Sequence, residues 1–161
     1  MIRLAKLTDY GLVLMTFMAR RRSPVHTARD LAAASKLPLP TVSKLLKQLL
    51  QSGLLVSHRG MNGGYSLAKE PAEISLAEII AAIEGPIALT ECSTDVTGLC
   101  DLELSCPAKA NQRIVSQVVR GALQKVALSD LIQPMQLTPI HDVQGKLIMP
   151  DVGSNTSGRL Q

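Results

Sequence analysis

Val42, Leu45, Leu46, Leu49 and Leu50 recur at i, i+3, i+4, i+7 and i+8, and the run stops at Ser52-Gly53. That spacing lines them along one stripe of an α-helix and leaves Thr41, Ser43, Lys44, Lys47 and Gln48 on the other side. Such a helix must bury one face and offer the other to something polar, so its neighbours must be elements able to cover a leucine ridge. Just upstream, Thr27-Ala-Arg-Asp30 has the form of a capping box opening a short helix through Leu31, Ala32 and Ala34, and Lys36-Leu37-Pro38 makes the turn. Pro40 is tolerated in the first turn of the leucine helix, where its missing N–H has no partner to lose.

Two helices joined by so short a turn, the second exposing small polar and basic side chains, predict a helix-turn-helix that could lie in the major groove of DNA; a plain helical bundle uses the same pair. The next residues favour the first reading. Leu54-Leu55-Val56-Ser57 and Tyr65-Ser66-Leu67 are strand-like, and Arg59-Gly60-Met61-Asn62-Gly63-Gly64 between them is a glycine-rich turn. They form a hairpin wing with His58 and Arg59 near its tip, and an arginine there can enter a narrow minor groove. Reading the glycines as a phosphate-cradling loop is weaker, because no Lys-Ser/Thr pair or following helix completes it. Charge fits the wing: residues 1–60 carry ten Lys/Arg against two Asp/Glu, whereas the rest carries seven against eleven. A basic surface alone means little more than solvation, but joined to this fold it marks the half suited to phosphate backbones.

Ahead of the helix pair, Leu7, Tyr10, Leu14, Phe17 and Met18 predict a first helix, with Arg20, Arg21 and Arg22 at its end and Pro24 to stop it. Its apolar run from Leu12 to Ala19 is too short to span a membrane, and basic residues follow it; a soluble cytoplasmic protein without a leader is expected. Past the wing, Ser75-Leu-Ala-Glu78 is a second capping box for a helix with Leu76, Ile79, Ile80 and Ile83 on one stripe, closed by Gly85-Pro86. Pro107 then suits the first position of a long helix bearing Ile114, Val115, Val118, Val119, Ala122, Leu123 and Val126. This β-branched stripe packs either on a second copy or on its own domain, since periodicity names no partner. The expectation is a mostly α chain: a winged helix-turn-helix domain over 1–85 with a two-stranded β wing, a cysteine-bearing loop over 86–106, and a long C-terminal dimerisation helix with a short end segment over 107–132. A disordered tail over 133–161 completes it.

The loop holds all three cysteines, Cys92, Cys100 and Cys106, in a C-x7-C-x5-C pattern. Three nearby thiolates suggest a metal or iron-sulfur site lacking one ligand. A disulfide with a spare thiol, or three buried cysteines acting as small hydrophobes, are the other readings. As enzyme nucleophiles they lack a base, because His26, His58 and His141 fall in a turn, a wing and a tail.

These residues resemble the winged-helix iron-sulfur regulators that include IscR and NsrR, over about residues 1–132. The likeness rests on Arg3-Leu4 to Thr8-Asp9-Tyr10, on the wing pattern Arg59-Gly60-x-x-Gly63-Gly64-Tyr65-x-Leu67, and on three cysteines before the last helix. Gly85-Pro86-Ile87-Ala88-Leu89-Thr90-Glu91-Cys92 looks most like the branch regulating the SUF cluster-assembly operon. The resemblance implies a homodimer on a palindromic double-stranded DNA operator, controlled by an iron-sulfur cluster, with [2Fe-2S] slightly favoured over [4Fe-4S]. It makes Cys92, Cys100 and Cys106 cluster ligands. Where IscR has a completing histidine this chain has Lys109, and Asn111 stands where SUF-branch relatives often carry one. An acidic residue of the partner subunit serves in NsrR-like proteins, and Asp9 falls at the matching position; Glu91, Glu103 and Asn111 are fallbacks, and Asp9 also reads as a helix cap or salt-bridge partner. For DNA, Pro40, Thr41, Ser43 and Lys44 occupy the base-facing stretch, Lys47 meets phosphate, and His58 and Arg59 mark the wing. IscR has a glutamate and a glutamine where this chain has Ser43 and Lys44, so a different operator is expected. Alternatives within these bounds are a nitric-oxide or redox-sensing repressor, and a cluster-free or zinc-bound DNA-binding protein.

Overall fold

The leucine ridge is covered by helices on both sides of it in the sequence. The computed structural model describes residues 3–20, 25–94, 96, 99–101 and 105–132. Helices run over Lys6–Arg20 (α1), Ala28–Ser35 (α2), Leu39–Gln51 (α3), Leu76–Glu84 (α4) and Lys109–Gln124 (α5), with strands at Leu55–His58 (β1) and Gly64–Leu67 (β2). Short 3-10 turns lie at Pro71–Glu73, Glu91–Ser93 and Leu128–Leu131. The predicted tail, His141, Glu103 and residues 21–24 lie outside the described residues.

Val42, Leu45, Leu46 and Leu49 are fully buried, sharing one core with Leu14, Met15, Leu31, Ile74 and Ile79. α1, α2, α4 and β1 all pack against α3. Leu50, grouped with the ridge by its spacing, is only partly buried, as a residue at the stripe's edge should be. The Thr27 hydroxyl accepts from the Asp30 N–H at 3.1 Å to open α2, and Lys36 closes it at φ 57. A left-handed lysine costs roughly 1–2 kcal/mol, offset here by the short turn it makes between the two helices.

β1 and β2 pair antiparallel with Leu55 opposite Leu67 and His58 opposite Gly64. One residue departs from expectation. His26, placed by sequence in a turn, is buried and exchanges both backbone hydrogen bonds with Tyr65, at 2.9 and 2.8 Å. It forms a one-residue third strand on the free edge of β2, too short to leave any alternation in the sequence. α5 likewise starts at Lys109, not at Pro107, because Cys106 to Lys109 form a turn before it.

α1 and α4 are fastened twice. A Cβ on Gly11 would overlap the end of Ile83, so the helices approach closely there. At the start of α1, Glu84 Oε1 accepts from the Ala5 N–H at 2.7 Å and from the Thr8 hydroxyl at 2.5 Å. A carboxylate from the far end of α4 thus caps α1, satisfying a backbone donor that α1 itself cannot. After α5 the chain returns to the core: Leu128 is fully buried, its N–H donates to Ile74 O, and Arg20 holds Ile132 O at 3.1 and 2.7 Å.

α4 opens as its sequence predicts. The Ser75 hydroxyl accepts from Glu78 N at 3.2 Å and Glu78 Oε2 accepts from Ser75 N at 2.7 Å. The Ser75 backbone N–H holds the Glu78 carboxyl below its ordinary value of 4.5; burial opposes this, while the Ser75 hydroxyl and Lys69 add to it. The stability this gives is complete above pH 4.5 and is lost as pH falls through the lowered folded-state value. Glu78→Gln should therefore be less stable than wild type at neutral pH and converge with it in acid, as followed by urea unfolding across pH. Glu84→Ala should cost about 1–3 kcal/mol in the same assay, because buried Thr8 and the Ala5 N–H lose their acceptor.

Candidate DNA-reading face and cysteine loop

Because the ridge of α3 points inward, its other face has one direction left. Ser43, Lys44 and Lys47 are exposed on it and Thr41 is partly so. Pro38, Leu39 and Pro40 project at its N-terminus, and no acidic residue lies in the first turn to neutralise the positive end of the helix dipole. Hydroxyls, two ammonium groups and this helix start together make a surface suited to base edges flanked by phosphates.

The wing extends from the end of α3. His58 and Arg59 are exposed, and His58 Nε2 lies 2.8 Å from Ser66 Oγ, tying the two strands together. Gly60 sits at φ 105, a conformation open to glycine, and the Gly63 N–H donates to Gly60 O at 3.0 Å. A Cβ at Gly63 would come within 2.5 Å of His58 O, so the turn closes only around glycine. These contacts explain the glycine-rich pattern by backbone geometry with no phosphate needed. Sequence reasoning missed the His26 brace behind the wing, and only backbone pairing reveals it.

Cys92 sits in the 3-10 turn Glu91–Ser93, which packs against α5. The Leu89 N–H donates to the buried Ser116 hydroxyl of α5 at 3.1 Å, fixing the approach to that turn. Thr90 Oγ1 lies 2.7 Å from Ser93 Oγ and 3.3 Å from Cys92 Sγ. Cys92, Cys100 and Cys106 are all free thiols, each partly buried. In kind this donor set suits an iron-sulfur cluster: three soft, disulfide-free sulfurs reachable from solvent. Among the described residues, however, no three His, Cys, Asp or Glu side chains are gathered closely enough to hold a metal ion. Asp9 is exposed in the first turn of α1, beside the Thr8–Glu84 contact, and makes no ion pair with a described residue. Glu91 and Asn111 are exposed, and Lys109 opens α5.

The stripe predicted for α5 divides: Val119, Leu123 and Val126 are partly buried, whereas Ile114, Val115 and Val118 are 57, 47 and 66 % exposed, and the buried position facing the loop is Ser116, outside the stripe. No described helix is long and apolar enough to cross a membrane.

The family model Rrf2, described as an iron-dependent transcriptional regulator, matches residues 4–134. The HTH-type transcriptional regulator NsrR of Shouchella clausii is 27% identical over 132 residues, covering 81% of this chain and 89% of its own. The HTH-type transcriptional regulator IscR of Cronobacter sakazakii is 28% identical over 145 residues, covering 89% of this chain and 88% of its own. Among solved structures, CymR, the global cysteine regulator of B. subtilis, is similar with a TM-score of 0.63 and 28% identity, over 82% of this chain and 97% of that one. With its winged helix-turn-helix and an outward face of hydroxyls and lysines, the chain belongs to the Rrf2 family of DNA-binding transcriptional regulators and is not an enzyme.

Proposed function

We propose that this protein is a cytoplasmic homodimeric repressor whose hold on a palindromic operator, at SUF-type cluster-assembly genes, is set by an iron-sulfur cluster. In this reading Cys92, Cys100 and Cys106 of one subunit and Asp9 of the other hold the cluster. The observation that carries it is the mounting of the cysteine loop. One side is fastened to α5 through Leu89 and Ser116, and its root continues from Glu84, whose carboxylate caps the start of α1. A change in the loop therefore pulls on both the long helix and the helix beneath α3.

A bound cluster supplies iron whose loss or oxidation can serve as the signal. Everything else is done by the chain. The Thr90 hydroxyl can stabilise the Cys92 thiolate, and an Asp9 oxygen, a harder donor than sulfur, makes the fourth position the labile one. Thr41 and Ser43 bond base edges, Lys44 reaches guanine or phosphate, Lys47 meets phosphate and Arg59 enters the minor groove. The exposed Ile114, Val115 and Val118 face their copies across the two-fold axis, which spaces the two α3 helices for half-sites about one helical turn apart.

Anaerobically purified protein should carry iron and acid-labile sulfide, with Mössbauer spectra separating [2Fe-2S] from [4Fe-4S]. Cys106→Ser should lose both, and Asp9→Ala should loosen the cluster while the dimer persists. Loaded and stripped protein should differ in operator affinity by about 5- to 150-fold, the usual span of such couplings; equal affinity refutes the sensing. Val118→Glu should sediment as a monomer and lose most affinity for the palindrome while retaining weak half-site binding, since linked half-sites add avidity on the order of 10²-fold or more.

A further inference from the structure

At the outermost point of the wing, Met61 is more open than any other large apolar residue exposed in the described structure, at 104 % against 40–66 % for the rest. Its setting is stiff. The turn is closed by the Gly63-to-Gly60 hydrogen bond around a glycine that has no room for a Cβ, and the base of the wing is braced by His26 on Tyr65. The glycines supply the turn geometry, so residue 61 is free to be polar as far as the fold is concerned. A fully wetted methionine adds nothing to the core, and in a turn a polar side chain would serve solubility better.

Its chemistry suits one kind of target. Methionine is long, flexible and polarizable, and carries no charge. Arg59 precedes it by one glycine. A cation followed by an apolar probe matches a trough with anionic rims and apolar walls. The minor groove is such a trough, with phosphates along its edges, sugar C–H groups on its sides and stacked base pairs at its floor. Apolar side chains pressed there part a base step, most cheaply at pyrimidine–purine steps.

We propose that Met61 is a second DNA contact of the wing, a wedge beside Arg59 that reads how easily a base step opens instead of which bases compose it. The inference rests on the DNA-binding reading and deepens it by assigning a specificity-determining residue. It predicts discrimination at an operator flank where no hydrogen bond to a base is made.

The test uses the full-length dimer and an operator selected by wild-type protein from a random duplex pool. The step under the wing is made TA in one duplex and AA within an A-tract in another, with 2-aminopurine beside it to report unstacking. Wild type should prefer the TA duplex and raise 2-aminopurine fluorescence on binding. Met61→Ala and Met61→Gln should lose that preference, weakening TA binding by about 5- to 10-fold with the salt slope unchanged and the fluorescence rise gone. Met61→Leu should restore both. Arg59→Ala provides the contrast, reducing the salt slope by about one. Met61→Ala binding both duplexes as wild type does, or weakening both equally, overturns the wedge. Wild type selecting no DNA sinks the DNA-binding reading instead, and the wedge with it. Unchanged melting of the variants, expected for a side chain outside the core, separates these results from misfolding.

Discussion

Four side chains on one face of α3, Val42, Leu45, Leu46 and Leu49, are sealed from water, and the orientation of the other working parts follows from that. Truncating any of the three leucines to alanine would cost about 2–5 kcal/mol in a core of this kind, so the helix has no freedom to roll. With α1, α2 and α4 packed around the ridge, Ser43, Lys44 and Lys47 have a single outlook. Orientation of this candidate DNA-reading face is thus set by the core, and the polar residues themselves carry little of the stability.

Much of this was legible because it is local and periodic. The α3 ridge, the Ser75–Glu78 box and the hairpin each announce themselves within a few residues, and each is where its spacing predicts. What stayed hidden is non-local. His26 joins the wing through backbone atoms alone, so its side chain left no pattern to read. Glu84 reads as the last residue of α4 before Gly85-Pro86, yet its partners are Ala5 and Thr8. Pro107 suggested a helix start that the Cys106–Lys109 turn defers. The cysteines were conspicuous as a set, but their number and spacing do not encode whether they meet, and in the described structure they are not gathered.

The two halves of the molecule use opposite economies. The wing and α3 present small, separate polar contacts on a stiff base, a design in which each can change without unsettling the core. The loop region differs in kind: its three sulfurs are partly buried, and among its described residues the Leu89 N–H is tied to the buried Ser116 hydroxyl. Glu84 stands between them, at the junction of the two regimes.

The return of Leu128 into the core has a consequence for how the chain comes to be. Its N–H pairs with Ile74, and Arg20 of α1 grips Ile132 beyond it. The first helix and the last described turn are therefore neighbours, and the cysteine loop with α5 is an excursion from the globule instead of an appendage to it. Because Leu128 and Leu131 follow the loop and α5 in the chain, the core that orients α3 is completed only by residues synthesised after them.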